Sequence, residues 1–345
     1  MGGGRKGEDL QVSTAPAFSL FFRPLPKQAK RMENNRSHTR AFLMLGLVML
    51  FWAGNSIVGR AVRANVPPFT LAFGRWMIAV LILLPFAARQ LWKERAEALA
   101  AWRWVLALGF FGVVCFNGFI YKGLHFTTAA NALLLQAAIP ATVMLLDFAI
   151  FRGRPGRMHV LGVVVSTIGV AAIVFRGDPA ALVQLRFGPG DGLIFCAVAA
   201  WSLYTVFLRK RPAISAPSFL LLTFTIGACA MAPLAAMETM QGQVVAWSPK
   251  VLAAYAYIGV FPSVIAYFIY NRATHELGAA RAGQAITLMP LFGALLSALL
   301  LGEALHRYHV AGMALILGGI VLSAVAARNA AIKTDPVRKS AMGTD

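Results

Sequence analysis

Residues 42–62 read FLMLGLVMLFWAGNSIVGRAV, an apolar run with no charged residue before Arg60. A helix needs roughly 20 predominantly apolar residues to cross the hydrocarbon core of a bilayer, and this stretch supplies them. Its second half, WAGNSIVGR at Trp52–Arg60, has a counterpart in WSLYTVFLR at Trp201–Arg209, 149 residues later. At an offset of 150 residues His125 matches His275, Pro140 matches Pro290, and His159-Val160-x-Gly162 matches His309-Val310-x-Gly312. Several matches at one near-constant offset argue for a duplicated unit.

Outward from residue 42, further runs of spanning length fall at 69–88, 103–123, 126–151 and 157–176, then at 190–209, 216–237, 250–271, 279–301 and 308–327. Pro67-Pro68, Arg154-Pro155-Gly156, Gly188-Pro189-Gly190 and Arg211-Pro212 punctuate the short connections. Each unit therefore holds five spans. Because five is odd, the second copy enters the membrane in the opposite sense. The expected fold is an all-α integral membrane protein of ten transmembrane helices, built as two inverted five-helix repeats. The expected organisation is a basic tail (1–40), a first repeat (41–177), a second repeat (190–327) and a closing tail (328–345). Residues 1–40 lack the apolar core and cleavage site of a secretory signal and are expected to be disordered. Met32, just ahead of the first run, is a candidate natural start, which the intact mass of native protein tests.

Composition points the same way, with 59% apolar and 13% charged residues and a mean hydropathy of +0.68, against about 25% charge in soluble domains. The net charge of +19 sits in short clusters between apolar runs and forms no continuous basic face, which argues against nucleic acid as a partner. With the N-terminus inside, 24 of the 32 Lys and Arg fall on the cytoplasmic side and 7 outside, and Arg75 alone lies within a span. That bias orients both termini to the cytoplasm. Cys115, Cys196 and Cys229, odd in number and without CxxC spacing, imply neither a disulfide framework nor a metal site.

Over residues 42–327 the chain resembles the EamA family of the drug/metabolite transporter superfamily. The resemblance rests on Trp52 and Asn55 of a Trp-x-x-Asn, the Val66-Pro67-Pro68 turn, Arg75, Gly190-Asp191 opening the second repeat, and Pro290 followed by Leu301-Gly302-Glu303. The first repeat departs from the pattern at its end, where Arg152-Gly153 stands in place of Gly-Glu. The resemblance implies a carrier in the bacterial cytoplasmic (inner) membrane, often an exporter of amino acids or related compounds, with a central cavity between the repeats. It names no substrate.

Trp52, Asn55 and Ser56 fall at i, i+3 and i+4 and share one helix face, and Trp201, Tyr204 and Thr205 repeat that spacing in the sixth span. Such faces either line a midplane site that stacks and hydrogen-bonds a solute or bridge helices as packing contacts. The same two readings apply to Asn117 and Tyr121 in the third span and to Tyr267, Tyr270 and Asn271 in the eighth. For Tyr121 and Asn271, near helix ends, an interfacial belt or a cap is a further option. Gln136 and Gln284 lie deeper, shortly before Pro140 and Pro290. Proline removes a backbone hydrogen bond, so these two mark cavity walls, gating bends or fixed kinks. Arg75 lies about 9 Å inside the second span at 1.5 Å per residue. A charge there costs about 2.5–3.5 kcal/mol or more, so it either meets a substrate carboxylate, snorkels outward or pairs structurally. Asp147, the carboxylate well within a span, is a candidate for proton coupling, with an ion pair to Arg152 or Arg154 as the alternative.

His125, His159, His275 and His309 fall near span ends and form no metal-ligand cluster, and no cofactor is expected. Gly188-Pro189-Gly190-Asp191 matches the string of intramembrane aspartyl proteases, yet Asp147 belongs to the opposite membrane face and cannot share a proton with Asp191. HExxH, GxSxG and phosphate-binding glycine loops are absent from the sequence, so neither an enzyme nor a nucleotide-driven pump is expected. Gly162, Ser166, Gly312, Gly318 and Gly319 permit close helix contact, including that of a homodimer. The function expected is a secondary transporter of a small-molecule substrate, embedded in the lipid bilayer and working by alternating access. A receptor or scaffold using the same cavity is the alternative.

Overall fold

A computed structural model describes residues 27–124, 126–127, 132, 135–178, 180, 188–301 and 304–333, the side chains of 27–39, 60, 121, 124, 297, 300–301 and 326–333 excepted. Residues 1–40 and 41–345 are separate units. In the first, the backbone of 27–40 is helical, and the second holds the remaining helices. In chain order these elements are α1 (Lys27–Val62), α2 (Pro68–Lys93), the short α3 (Arg95–Ala100), α4 (Trp102–Gly109), α5 (Phe116–Leu124), α6 (Ile139–Phe151) and α7 (Arg157–Val174). The second half contributes α8 (Pro189–Phe207), α9 (Ala216–Met240), α10 (Pro249–Gly259), α11 (Ala266–Leu277), α12 (Ala279–Ala285), α13 (Leu288–Leu301) and α14 (Arg307–Lys333).

Among the described residues nine apolar helical stretches are long enough to cross a bilayer, from Arg40–Gly59 to Arg307–Val325. The fourth expected span is described in part, as the 13-residue α6. Prolines sit in the first turn of α2, α6, α8, α9 and α10. There the missing N–H leaves no bond unmade and the fixed φ already suits a helix.

Two departures from regular helices recur in both halves. Turns of π-helix at Phe110–Cys115 and Val260–Ile265 join α4 to α5 and α10 to α11, and their positions differ by the same 150 residues as the sequence repeat. A π-turn leaves a carbonyl without its helical partner, and lipid offers no replacement. Side chains from the middle of the molecule fill the gap: Tyr267 Oη donates to Gly112 O at 3.0 Å, and Trp52 Nε1 donates to Pro262 O at 3.0 Å. The ninth span, expected to be continuous, is broken at Ile286-Thr287 between α12 and α13, and a turn at Ala137-Ala138 precedes α6 in the same way. Pro140 and Pro290 follow these turns directly, so each begins a new helical segment where a regular helix with a kink was one of the options.

Helix pairing exposes the symmetry between the halves. Along the antiparallel α7 and α14, Gly162 backs onto Gly319 and Gly169 onto Gly312. Ser166 Oγ donates to Ile316 O at 3.3 Å and Ser323 Oγ to His159 O at 3.4 Å. At the 150-residue offset Gly162 corresponds to Gly312 and Gly169 to Gly319, so exchanging the repeats turns one glycine contact into the other. A two-fold relation between inverted units requires that. The glycines whose spacing suggested contact with a second copy are thus engaged within the chain, Gly318 apart.

α2 and α9 pair likewise, each carrying a glutamate that caps the other. Glu238 accepts from Phe69 N at 2.9 Å, Thr70 N at 2.7 Å and Thr70 Oγ1 at 2.8 Å. Glu94 accepts from Ser215 N at 3.1 Å and Ser215 Oγ at 3.0 Å, and from Gln90 Nε2. The first N–H groups of a helix lack intrahelical acceptors and carry partial positive charge, so a carboxylate satisfies both needs. Burial works against charge on Glu94, but hydrogen bonds from Gln90, Ser218 and Ser215 hold its carboxyl below the usual glutamate value.

Candidate functional site

Between the repeats lies a cavity of about 1150 Å³, slightly larger than the roughly 300–1,000 Å³ of small-molecule sites. Its lining is exposed at Arg63 and Ala64 of the α1–α2 turn and at Ala304 and Leu305 just ahead of α14, which mark its mouth beside Pro68 and His309. Its wall carries Trp52, Asn55 and Ser56 from α1, Arg75 from α2, Asn117 from α5, Trp201 from α8, Tyr267 from α11, and Gln136 and Pro290 beside the two helix breaks. Ser56, Asn117 and Gln136 each donate a hydrogen bond to the carbonyl four residues earlier in the chain. That keeps the polar groups compatible with an apolar surround and fixes their rotamers.

The floor is aromatic. Trp52 and Trp201 meet edge to face with centroids 5.1 Å apart, Trp52 and Tyr270 are 5.2 Å apart, and Trp76 stands at right angles to Tyr267 at 5.6 Å. Offset and edge-on contacts of this kind match the positive rim of one ring to the negative face of the next.

Below the floor, away from the mouth, the molecule is closed in layers that α8 reads out one turn at a time. Trp201 faces the cavity, while four residues on Thr205 lies 3.0 Å from Tyr270 Oη. Beside it Tyr204 Oη donates to Asn271 Oδ1 at 2.5 Å. Four residues further Arg209 donates to Asp147 Oδ2 at 2.7 Å, tying α6 to the end of α8. The face shared by Trp201, Tyr204 and Thr205 in the sequence therefore serves two purposes, cavity wall at its first residue and closure at the others. Tyr204 and Asn271 lie in the closure and off the cavity wall. Gln284 donates to Gly319 O at 3.2 Å and joins α12 to α14 instead. Pro140 is buried at the start of α6, off the wall. The side chain of Tyr121, and His125, fall outside the described residues.

Asp147 pairs with Arg209, where the sequence pointed to Arg152 or Arg154. Arg152 ends α6 in the left-handed conformation, with φ at 57°, and both alternatives are exposed. Asp191 accepts from Gly188 N at 2.7 Å and from Thr127 Oγ1, so the Gly-Pro-Gly-Asp string acts as the N-terminal cap of α8. Periodicity missed Ser263 and the Pro262 carbonyl, which hold Arg75, because neither a π-turn nor a main-chain acceptor has a side-chain signature in sequence.

Known proteins resemble this chain along most of its length. It is 27% identical over 300 residues to an uncharacterized transporter of Archaeoglobus fulgidus, covering 84% of this chain and 98% of that protein. It is 24% identical over 301 residues to the uncharacterized transporter YetK of Bacillus subtilis, covering 83% and 87%. A solved protein structure 20% identical in sequence superposes with a TM-score of 0.66 over 84% of this chain and 98% of that one, a likeness of fold alone. The profile of the EamA-like transporter family matches residues 39–175 and again 188–325, the two halves that the helix pairing relates. Matched twice in this way, the chain belongs to the EamA-like transporter family.

Proposed function

We propose that this membrane transporter is a secondary carrier that moves small metabolites, amino acids or related compounds, by alternating access, with export as the net direction. The observation that carries the reading is the one-sided cavity: open between Arg63 and His309, closed beyond Trp201 by Tyr204, Asn271, Thr205, Tyr270 and the Arg209–Asp147 pair. A carrier needs a site reachable from one face at a time, and two inverted units of near-equal structure can exchange which face is closed. The 24-to-7 distribution of Lys and Arg supports a cytoplasmic membrane with both termini inside, which turns the mouth outward. The discontinuous fourth and ninth spans, with Pro140 and Pro290 after their breaks, are the elements that bend in the exchange.

Proteoliposomes holding the purified chain and a panel of labelled amino acids and related acids test this. Flux that saturates with concentration, and counterflow against a preloaded solute, are expected. Flux that rises linearly without saturation indicates a channel. Ligand binding without flux indicates a receptor.

A further inference from the structure

We propose that the cavity selects organic anions: a single carboxylate, or an equivalent negative group, on an apolar and preferably aromatic body. This rests on the transport reading and narrows it, because a zwitterionic amino acid satisfies only half of the description.

Arg75 carries the argument. It is 5% exposed, yet it borders the cavity. Its Nε donates to Ser263 Oγ at 2.7 Å, its Nη2 donates to Pro262 O at 3.1 Å, and its guanidinium carbon lies 4.4 Å from the centroid of the Trp76 ring. Ser263 Oγ spends its own proton on Ile258 O at 2.8 Å and so turns a lone pair to Arg75. The π-turn thus holds the guanidinium in place with neutral groups only. Among the described residues the ion pairs are Arg209–Asp147 and Arg272–Glu276, and neither includes Arg75. Glu238, also near this end of α2, is occupied by three donors from Phe69 and Thr70.

A cation in a membrane interior normally lies beside a counter-charge. Here the protein holds it rigidly and leaves part of its five-donor fork for something else. A planar carboxylate fits that fork better than any neutral solute does. Arg63, exposed at the mouth, adds charge of the same sign and draws anions in. No Asp or Glu lines the cavity among the described residues, so an ammonium group entering it finds no counter-charge, only amide oxygens and aromatic faces, to offset its lost hydration. Trp52, Trp201, Tyr267 and Phe116 form the surface on which a flat apolar body rests.

Three probes share one phenyl-ethyl body and differ in the ionic groups it carries: 3-phenylpropanoate (carboxylate), phenylalanine (carboxylate and ammonium) and 2-phenylethylamine (ammonium). Their stabilisation of the detergent-purified wild-type chain against heat reads binding without requiring transport. The anion is expected to act at a concentration about tenfold below phenylalanine, the amine to have no effect, and Arg75→Gln to weaken the anion by about tenfold or more with the amine unchanged. Arg75→Lys, which keeps the charge and loses the fork, falls between. The inference is overturned if the amine or phenylalanine matches the anion, if none of the three stabilises the wild-type chain, or if folded Arg75→Gln binds the anion as before. The ranking is read on the wild type, so a variant that fails to fold leaves the test intact. Proteoliposome flux separates the two readings. Anion-selective binding without flux upholds the charge selection and overturns transport. Saturable flux of the amine without anion preference does the reverse.

Discussion

At Asp147 one carboxylate oxygen takes the Arg209 guanidinium at 2.7 Å, while the other is buried with no hydrogen-bond partner. The pair joins a helix of the first repeat to one of the second on the closed side of the cavity, so a change in its strength biases the closure itself. Arg209 is 44% exposed, and pairs wetted to that extent contribute about 1 kcal/mol or less. A double-mutant cycle with Asp147→Asn and Arg209→Gln, read by thermal unfolding, should return a coupling energy of about 1 kcal/mol or less. Transport assays ask a separate question. If protons drive the carrier through this residue, Asp147→Asn abolishes the pH dependence of flux; a variant that keeps it removes Asp147 as the coupling group. The floor residues admit a similar test, since Trp52→Ala and Trp201→Ala each remove a ring from the cavity wall. Solute affinity should fall in both variants, and wild-type affinity would take the rings out of the site.

Paired helices carry most of the information at the next scale. The neighbours Gly318 and Gly319 make opposite demands although the sequence treats them alike. A Cβ on Gly319 overlaps Gly162 O and comes within 2.7 Å of Ser166 N, whereas one on Gly318 meets nothing within 4 Å. Gly319→Ala should therefore destabilise the detergent-solubilised chain by about 1–3 kcal/mol, the range for overpacking. Gly318→Ala should be neutral or slightly stabilising, because alanine leaves the unfolded chain fewer conformations to lose than glycine does. The reciprocal caps of α2 and α9 add a pH dependence. Hydrogen bonds hold Glu94 below its ordinary value of 4.5, so its contribution is present above that pH and is lost as the pH falls toward the lower folded value. Glu94→Gln should flatten the acid limb of a melting-temperature profile below 4.5 and leave the neutral region little changed. An unaltered acid limb would show that the cap contributes nothing measurable.

At the largest scale, residues 41–345 are a pair of inverted units with a cavity between them. The contacts that relate the units, Gly162 to Gly319 and Gly312 to Gly169, are symmetric. The Trp52–Trp201 contact of the floor maps onto itself in the same way, whereas the Arg209–Asp147 pair does not, and an alternating-access carrier differs between its two states at such asymmetric places. Cysteine labelling reads this directly once Cys115, Cys196 and Cys229, all free thiols, are replaced by serine. Asn55→Cys on the cavity wall should react with a hydrophilic, membrane-impermeant thiol reagent added on the mouth side. Thr205→Cys, in the closed layer, should react far more slowly from either side. Equal rates at the two positions would mean that the floor does not close.

The helical spans, the duplication and the opposite sense of the second half were legible in the chain alone, because lipid imposes them locally. A run such as 42–62 must be helical to satisfy its own backbone, and an odd number of such runs per unit leaves the second unit no other orientation. Periodicity likewise placed Trp52, Asn55 and Ser56 on a common face, which became the cavity wall. It could not tell that the matching face of α8 would pass from wall to closure within two turns. Nor could it foresee the paired π-turns, the breaks ahead of Pro140 and Pro290, or the choice of Arg209 over Arg152 for Asp147. Those outcomes depend on partners far away along the chain. Trp52 reaches a carbonyl 210 residues distant and Arg75 a hydroxyl 188 residues distant. Such groups meet only when the repeats close around one another, so the fold was written in local hydrophobicity and the site was decided by tertiary contact.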